Sequence, residues 1–135
     1  MVGDGAVMAD KTVSSGSITL SESVTSASVG LKYITEIVTL APEVARVDGS
    51  SFGRKKAWNR IILNLYETLG ISVNGKQLVF RDGGDPMDSA PPVFTGQHDV
   101  TNLGWKEADS SITIKQEQPL GMTLISLAGE LSVSD

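Results

Sequence analysis

Residues Arg60 to Thr68 read Arg-Ile-Ile-Leu-Asn-Leu-Tyr-Glu-Thr, and no other run limits the fold as much. In an extended chain Ile61, Leu63 and Leu65 share one face, while Ile62 and Tyr66 take the other with Asn64 between them. A strand that is apolar on both faces needs cover on both, so it belongs in the interior of a β structure. Leu, Asn, Glu and Arg are also tolerated in a helix, which is the competing assignment. Flanking glycine and strand-like neighbours decide for the strand.

The neighbours follow the same period. Ile71-Ser72-Val73 leads into Asn74-Gly75, a pair suited to the positive φ angles of a two-residue hairpin turn, and Lys76 to Arg81 is its partner strand. Ser111 to Gln116 alternates, with Ile112 and Ile114 inward and Thr113 and Lys115 outward. Ser17 to Leu20 alternates as well. Val29, Leu31 and Tyr33 fall on one face of a further strand, and Ile37, Val38 and Leu40 form another that stops at Pro42. Met122 to Val133 reads as a last strand pair or one long bent strand, with Gly129 as a bulge.

Turn chemistry marks Asp4-Gly5 and Ser14-Ser15-Gly16, and Asp48-Gly49-Ser50-Ser51 lies within a loop from Glu43 to Gly53. Asp82 to Pro92 is a second long loop. The expected fold is all-β: an antiparallel sandwich or open barrel of about seven to eight strands with little helix. The 135 residues fit one β-rich domain, residues 1–135, with 1–13 a loosely attached N-terminal segment. Ile61, Leu63, Leu65, Val79, Ile112, Ile114, Leu124 and Leu131 form the expected core. Val79 is chosen there with Leu78 and Phe80 placed on the opposite face. Met1–Asp10, Glu43–Gly53 and Asp82–Pro92 carry little apolar surface and are expected to be the least ordered parts.

Composition narrows the chemistry. With no cysteine there is no disulfide or thiolate, and one histidine cannot supply the ligand set of a zinc site. A net charge of −5 disfavours a basic nucleic-acid face or attraction to anionic lipid. No apolar run nears the roughly 18 residues of a membrane span, and Met1 to Asp10 lacks the features of a signal peptide. His98 stands beside Asp99, with Asp88 upstream, yet no nucleophile elbow accompanies them. Asp82, Asp85 and Asp88 offer oxygen ligands without the spacing or the closing glutamate of an EF-hand, and are expected to bond their own backbone. Glu36, Glu43, Glu67, Glu107, Glu117 and Glu130 supply the carboxylate pairs that any acidic chain offers. No glycine-rich phosphate loop occurs. The expectation is therefore no enzyme, no catalytic residue, no metal and no cofactor. Candidate interface residues are Trp58, Trp105 and the basic run Arg54-Lys55-Lys56, although such a run is more often the solvated lead-in to a strand.

Four stretches in order carry a resemblance. They are Ser28-Val29-Gly30-Leu31-Lys32-Tyr33 with Thr39-Leu40, Gly53-Arg54-Lys55-Lys56 running into Ile61–Glu67, Pro92-Val93-Phe94-Thr95-Gly96, and Ile114-Lys115-Gln116-Glu117-Gln118-Pro119-Leu120 before Met122-Thr123-Leu124. From Asp4 to Val133 the chain resembles the C-terminal region of the tail nozzle proteins of short-tailed bacteriophages. These are also called tail tubular protein B or packaged-DNA stabilisation proteins. Members of that family are much longer, so the resemblance implies an excised domain or a shortened relative. It further implies a non-enzymatic structural part of the virion, made in the host bacterial cytoplasm. Its partners would be other copies of itself in a ring of about six, the neighbouring tail and portal-adaptor proteins, and passing DNA held without tight binding. The alternatives are a carbohydrate- or receptor-binding sandwich of a phage tail, which calls for Trp58, Trp105 and Tyr66 along one groove, and a tail hydrolase, which calls for a deep cleft with two close carboxylates.

Overall fold

Ile61, Leu63 and Leu65 are all buried on one face of a single thirteen-residue strand, as their alternation demands. A computed structural model describes residues 1–47, 49–106 and 109–134, and among them there is no helix. The strands in chain order are β1 (Val2–Gly3), β2 (Ala6–Val7), β3 (Ala27–Ser28), β4 (Thr35–Val38), β5 (Ala45–Arg46), β6 (Gly49–Ser50) and β7 (Lys56–Thr68). Then come β8 (Ile71–Val73), β9 (Lys76–Gln77), β10 (Phe94–Thr101), β11 (Trp105–Lys106), β12 (Thr113–Gln116) and β13 (Leu124–Val133). The fold is all-β and sandwich-like, with antiparallel sheets that do not close into a barrel. Asp48 of the expected turn and Glu107 of the carboxylates lie outside the described residues.

Strand β7 is the axis of the first sheet. β13 pairs with it from Lys56 to Leu65, β10 takes the other edge from Arg60 to Thr68, and β11 meets it at Lys56 and Ala57. The second sheet runs in the order β4-β12-β8-β9. Ile61, Leu63, Leu65 and Val100 of the first sheet pack with Ile71, Val73 and Ile114 of the second, and Ile112 and Leu78 complete the cluster. The chain passes from one sheet to the other through Leu69-Gly70. That corner is held by buried Gln116, whose Nε2 donates to the Leu69 carbonyl while its Oε1 accepts from the Gln118 N–H at 3.1 Å. Gly70 has φ 68°, a backbone conformation that favours glycine; a Cβ there would lie 2.9 Å from Gln118 Oε1, the free end of a side chain that can give way.

The hairpin forms at Asn74-Gly75, with φ 49° and 81°. Its register corrects the expected core. Val73 pairs with Lys76 and Ser72 with Gln77, and the Leu78 N–H reaches the Ile71 carbonyl at 2.9 Å. Leu78 therefore stands opposite Ile71 and is buried, whereas Val79 alternates outward and is 71% exposed. Leu124 and Leu131 are half-buried rather than central. Met122 to Val133 supplies one long strand, β13, and the bulge is not at Gly129. Gly129 pairs with Ile61; the register shifts one step on, where Glu130 meets Arg60 and Leu131 meets Trp58, leaving Asn59 of β7 as the extra residue. Gly129 serves close approach instead, since a Cβ would sit 2.8 Å from the Arg60 carbonyl oxygen and 2.9 Å from the Trp58 ring.

Alternation misleads toward the N-terminus. Ser17 to Leu20 is not a strand; Ser14 and Ser17 close a local bridge around Ser15-Gly16. Residues 29–34 belong to no strand, and β4 begins only at Thr35. The first ten residues, by contrast, carry paired strands. Asp4 and Gly5 turn β1 into β2 at φ 48° and 83°, and β3 pairs on the other side of β1. The Asp4 carboxylate accepts from the Thr25 and Ser26 N–H groups at 2.9 and 2.8 Å. The Glu43–Gly53 loop contains the small hairpin β5–β6, braced by the buried Ser51 hydroxyl accepting from the Val44 N–H at 2.9 Å. Strand β10 had no sequence expectation: its alternate Thr95, Gln97, Asp99 and Thr101 are polar, and Gly96 interrupts the pattern.

Candidate interaction surface

The extra residue Asn59 decides where the candidate interface residues go. It shifts the alternation of β7, so Trp58 and Lys56 turn toward the side that holds Ile61. Trp58 packs against the core, and its Nε1 donates to the Ser110 carbonyl at 2.7 Å. Lys56 is 2% exposed, which corrects its reading as part of a solvated run. Arg54 is half-buried and Lys55 exposed, so the basic cluster does not form one outward face. Trp105 remains exposed, paired opposite Ala57 in β11. Tyr66 is also exposed, nine residues farther along β7, or about 30 Å at the rise of a strand. The three aromatics thus do not converge on one groove.

A groove of about 570 Å³ lies over the outer side of the second sheet. It is polar, lined by Ser72, Asn74 and Gln77 from the hairpin and by Lys106, Asp109 and Lys115 across from them. No aromatic ring lines it. The Ser111 N–H donates to Asp109 Oδ1 at 2.9 Å and holds that carboxyl below its ordinary value, helped by the Ser111 hydroxyl and then by the charges of Lys106 and Lys56. Lys115 pairs with Glu36 of β4 at 3.1 Å. These contacts order a surface; they do not set a nucleophile beside a base.

His98 and Asp99 are adjacent on β10 and so point to opposite faces. The His98 ring is edge-on to Phe80 and Phe94, with centroids at 5.1 and 5.7 Å, while the two phenylalanines stack at 5.0 Å. The Asp99 carboxylate accepts from Arg60 at 2.6 Å on the other side. A Ser-His-Asp relay through this pair is geometrically closed. In the Asp82–Asp88 loop the Asp85 carboxylate accepts from the Asp82 N–H at 2.8 Å, the local backbone bond expected of such a turn. Among the described residues no three acidic or histidine side chains gather as a metal site.

The surface that sequence reasoning missed is apolar. Val29, Leu31, Tyr33, Ile34, Val38 and Leu40 are all exposed, Leu31 at 97% and Leu40 at 90%. Alternation places Val29, Leu31 and Tyr33 on one face but does not say whether anything covers that face. The serine-rich stretch before them and Pro42 after them were the signal that the segment has few partners of its own. A second apolar feature, a groove of about 250 Å³, is floored by Leu69 and Leu78 and walled by Phe80, Pro91 and Leu120. No protein-family model matches the chain, and no curated protein matches it.

Proposed function

We propose that this chain is a non-enzymatic structural part of a short-tailed bacteriophage tail, an element of the nozzle or tail-tube ring that joins the portal-adaptor and guides DNA ejection. The observation that carries the reading is the set of exposed apolar residues Val29, Leu31, Tyr33, Ile34, Val38 and Leu40 in a chain with a well-filled core elsewhere, where of this segment's apolar residues only Ile37 packs inward. Water-exposed apolar surface of that extent is what assembly buries. The segment also coincides with the first stretch of the resemblance, Ser28–Tyr33 with Thr39–Leu40. The net charge of −5 suits a conduit whose wall does not hold passing phosphates. The carbohydrate-binding alternative loses its support with the separation of Trp58, Trp105 and Tyr66.

The test is the virion itself. The full-length protein should appear in purified particles at about six copies and map below the portal. Protein confined to infected-cell lysate, or absent from tails and bound to a soluble sugar with micromolar affinity, would defeat the reading.

A further inference from the structure

We infer that the exposed arm, residues 29–34 with β4, docks on the Leu69/Leu78/Phe80/Leu120 groove of a second copy of this chain, head to tail. The inference rests on the assembly reading above and names the surfaces that would meet. β4 and β9 are the two opposite edges of the second sheet. The register sets Thr35 across from Gln116, Gln116 across from Ile71, and the Leu78 N–H on the Ile71 carbonyl. One row, Thr35–Gln116–Ile71–Leu78, therefore crosses the whole sheet. The arm leaves β4 just beyond Thr35, and the groove residues follow β9 from Leu78 onward, so both emerge at the same end of the sheet on opposite edges. β4 and β9 also run antiparallel to each other, since β4, β12, β8 and β9 alternate in direction. A second copy placed beside the first in the same orientation brings its arm level with the groove, with its β4 antiparallel to β9.

Area and charge fit the same occupant. The five exposed apolar residues of the arm and β4, Val29, Leu31, Tyr33, Ile34 and Val38, present on the order of 600 Å², the low end of what each partner buries in a specific interface. The groove offers an apolar recess for a large side chain such as Leu31 or Tyr33. Lys32 is the sole charge of residues 29–34; the groove carries Arg81, whose guanidinium donates to the Ser89 carbonyl at 2.8 Å, and beyond it the loop of Asp82, Asp85 and Asp88 outweighs that cation with three carboxylates. The present partner of Lys32, Asp10, is a solvent-exposed contact at 4.0 Å that an interface can replace. Arm and groove are different surfaces, so the contact is heterologous and propagates into a ring or a filament rather than closing as a two-fold dimer.

The chain has no cysteine, so engineered thiols report cleanly. Leu31→Cys and Val79→Cys are prepared as two separate variants of the whole chain, both at exposed positions that leave the core intact. They are oxidised alone and mixed, at concentrations up to millimolar, with Ser126→Cys on exposed β13 as the control partner. The mixed Leu31→Cys/Val79→Cys dimer should form in excess over either homodimer and over the control pair. Dominant Leu31→Cys homodimers would overturn the inference in favour of a two-fold contact. No mixed dimer at millimolar concentration would overturn it in favour of a different occupant of the arm. The cross-link reads the contact and particle localisation reads the tail assignment: a mixed dimer from a protein absent from tails defeats the tail alone, and a tail protein without the mixed dimer defeats the contact alone.

Discussion

Leu63 and Val79 are both aliphatic residues on strand-like segments, yet one is wholly enclosed and the other is 71% exposed. Leu63→Ala leaves a void between the sheets and should cost about 2–5 kcal/mol in urea denaturation. Val79→Ala should fall within about 0.5 kcal/mol of the parent, since it removes little buried surface. A loss below about 1 kcal/mol at Leu63 would show that the sheets do not pack around it. Asp4 tests the electrostatics. The Thr25 and Ser26 N–H groups hold its carboxyl below the ordinary value, the Thr25 bond contributing most. A carboxyl depressed in the folded state stabilises above the ordinary carboxylate range, and that contribution is lost as pH falls through the lowered value. Asp4→Ala should therefore lower the hydrogen-exchange protection of the Thr25 and Ser26 amides at neutral pH, and the parent should approach the variant in acid. Equal protection at neutral pH would remove Asp4 as the anchor of β1.

At the scale of elements, the corner between β7 and β8 is the most exacting part of the fold. Gly70 has a positive φ, so Gly70→Ala should cost about 1–3 kcal/mol, read as a lowered thermal or urea midpoint. Gln116→Leu should cost a similar amount, about 1–3 kcal/mol, because the Leu69 carbonyl loses its buried donor. The Asp82–Asp88 loop is expected to behave differently. Its Asp85 carboxylate already serves the Asp82 amide, so melting in EDTA and in added calcium should coincide. A large upward shift with calcium would reassign the loop as a metal site.

For the whole molecule, two sheets of unequal reach share one core, while the arm stays outside it. Leu31→Asp combined with Tyr33→Asp should leave the unfolding midpoint of the isolated chain unchanged, because neither side chain is buried there. The same variant should lose self-association in sedimentation at high concentration. A destabilised monomer would instead mean that the arm packs on its own chain.

Alternation by itself determined the parts whose partners lie close in sequence or whose both faces are apolar. Ile61, Leu63 and Leu65, the Asn74-Gly75 hairpin, the Asp4-Gly5 turn and the inward Ile112 and Ile114 were all legible, because local turn geometry and a two-residue period fix them without knowledge of the neighbours. Only the tertiary structure decided the rest. A period of two says which side chains share a face but not whether anything covers that face. Ser17 to Leu20 and Val29 to Tyr33 alternate as well as Ser111 to Gln116 does, yet only Ser111 to Gln116 yields a strand of the main sheets, flanked by β4 and β8. A single extra residue, Asn59, reversed the inside and outside of β7 and buried Lys56, and no residue pattern announces a bulge set by pairing with a strand some seventy positions away. The candidate surface depends on non-local pairing in the second sheet: the row from Thr35 to Leu78 that brings arm and groove to one end of that sheet is written in four segments at once.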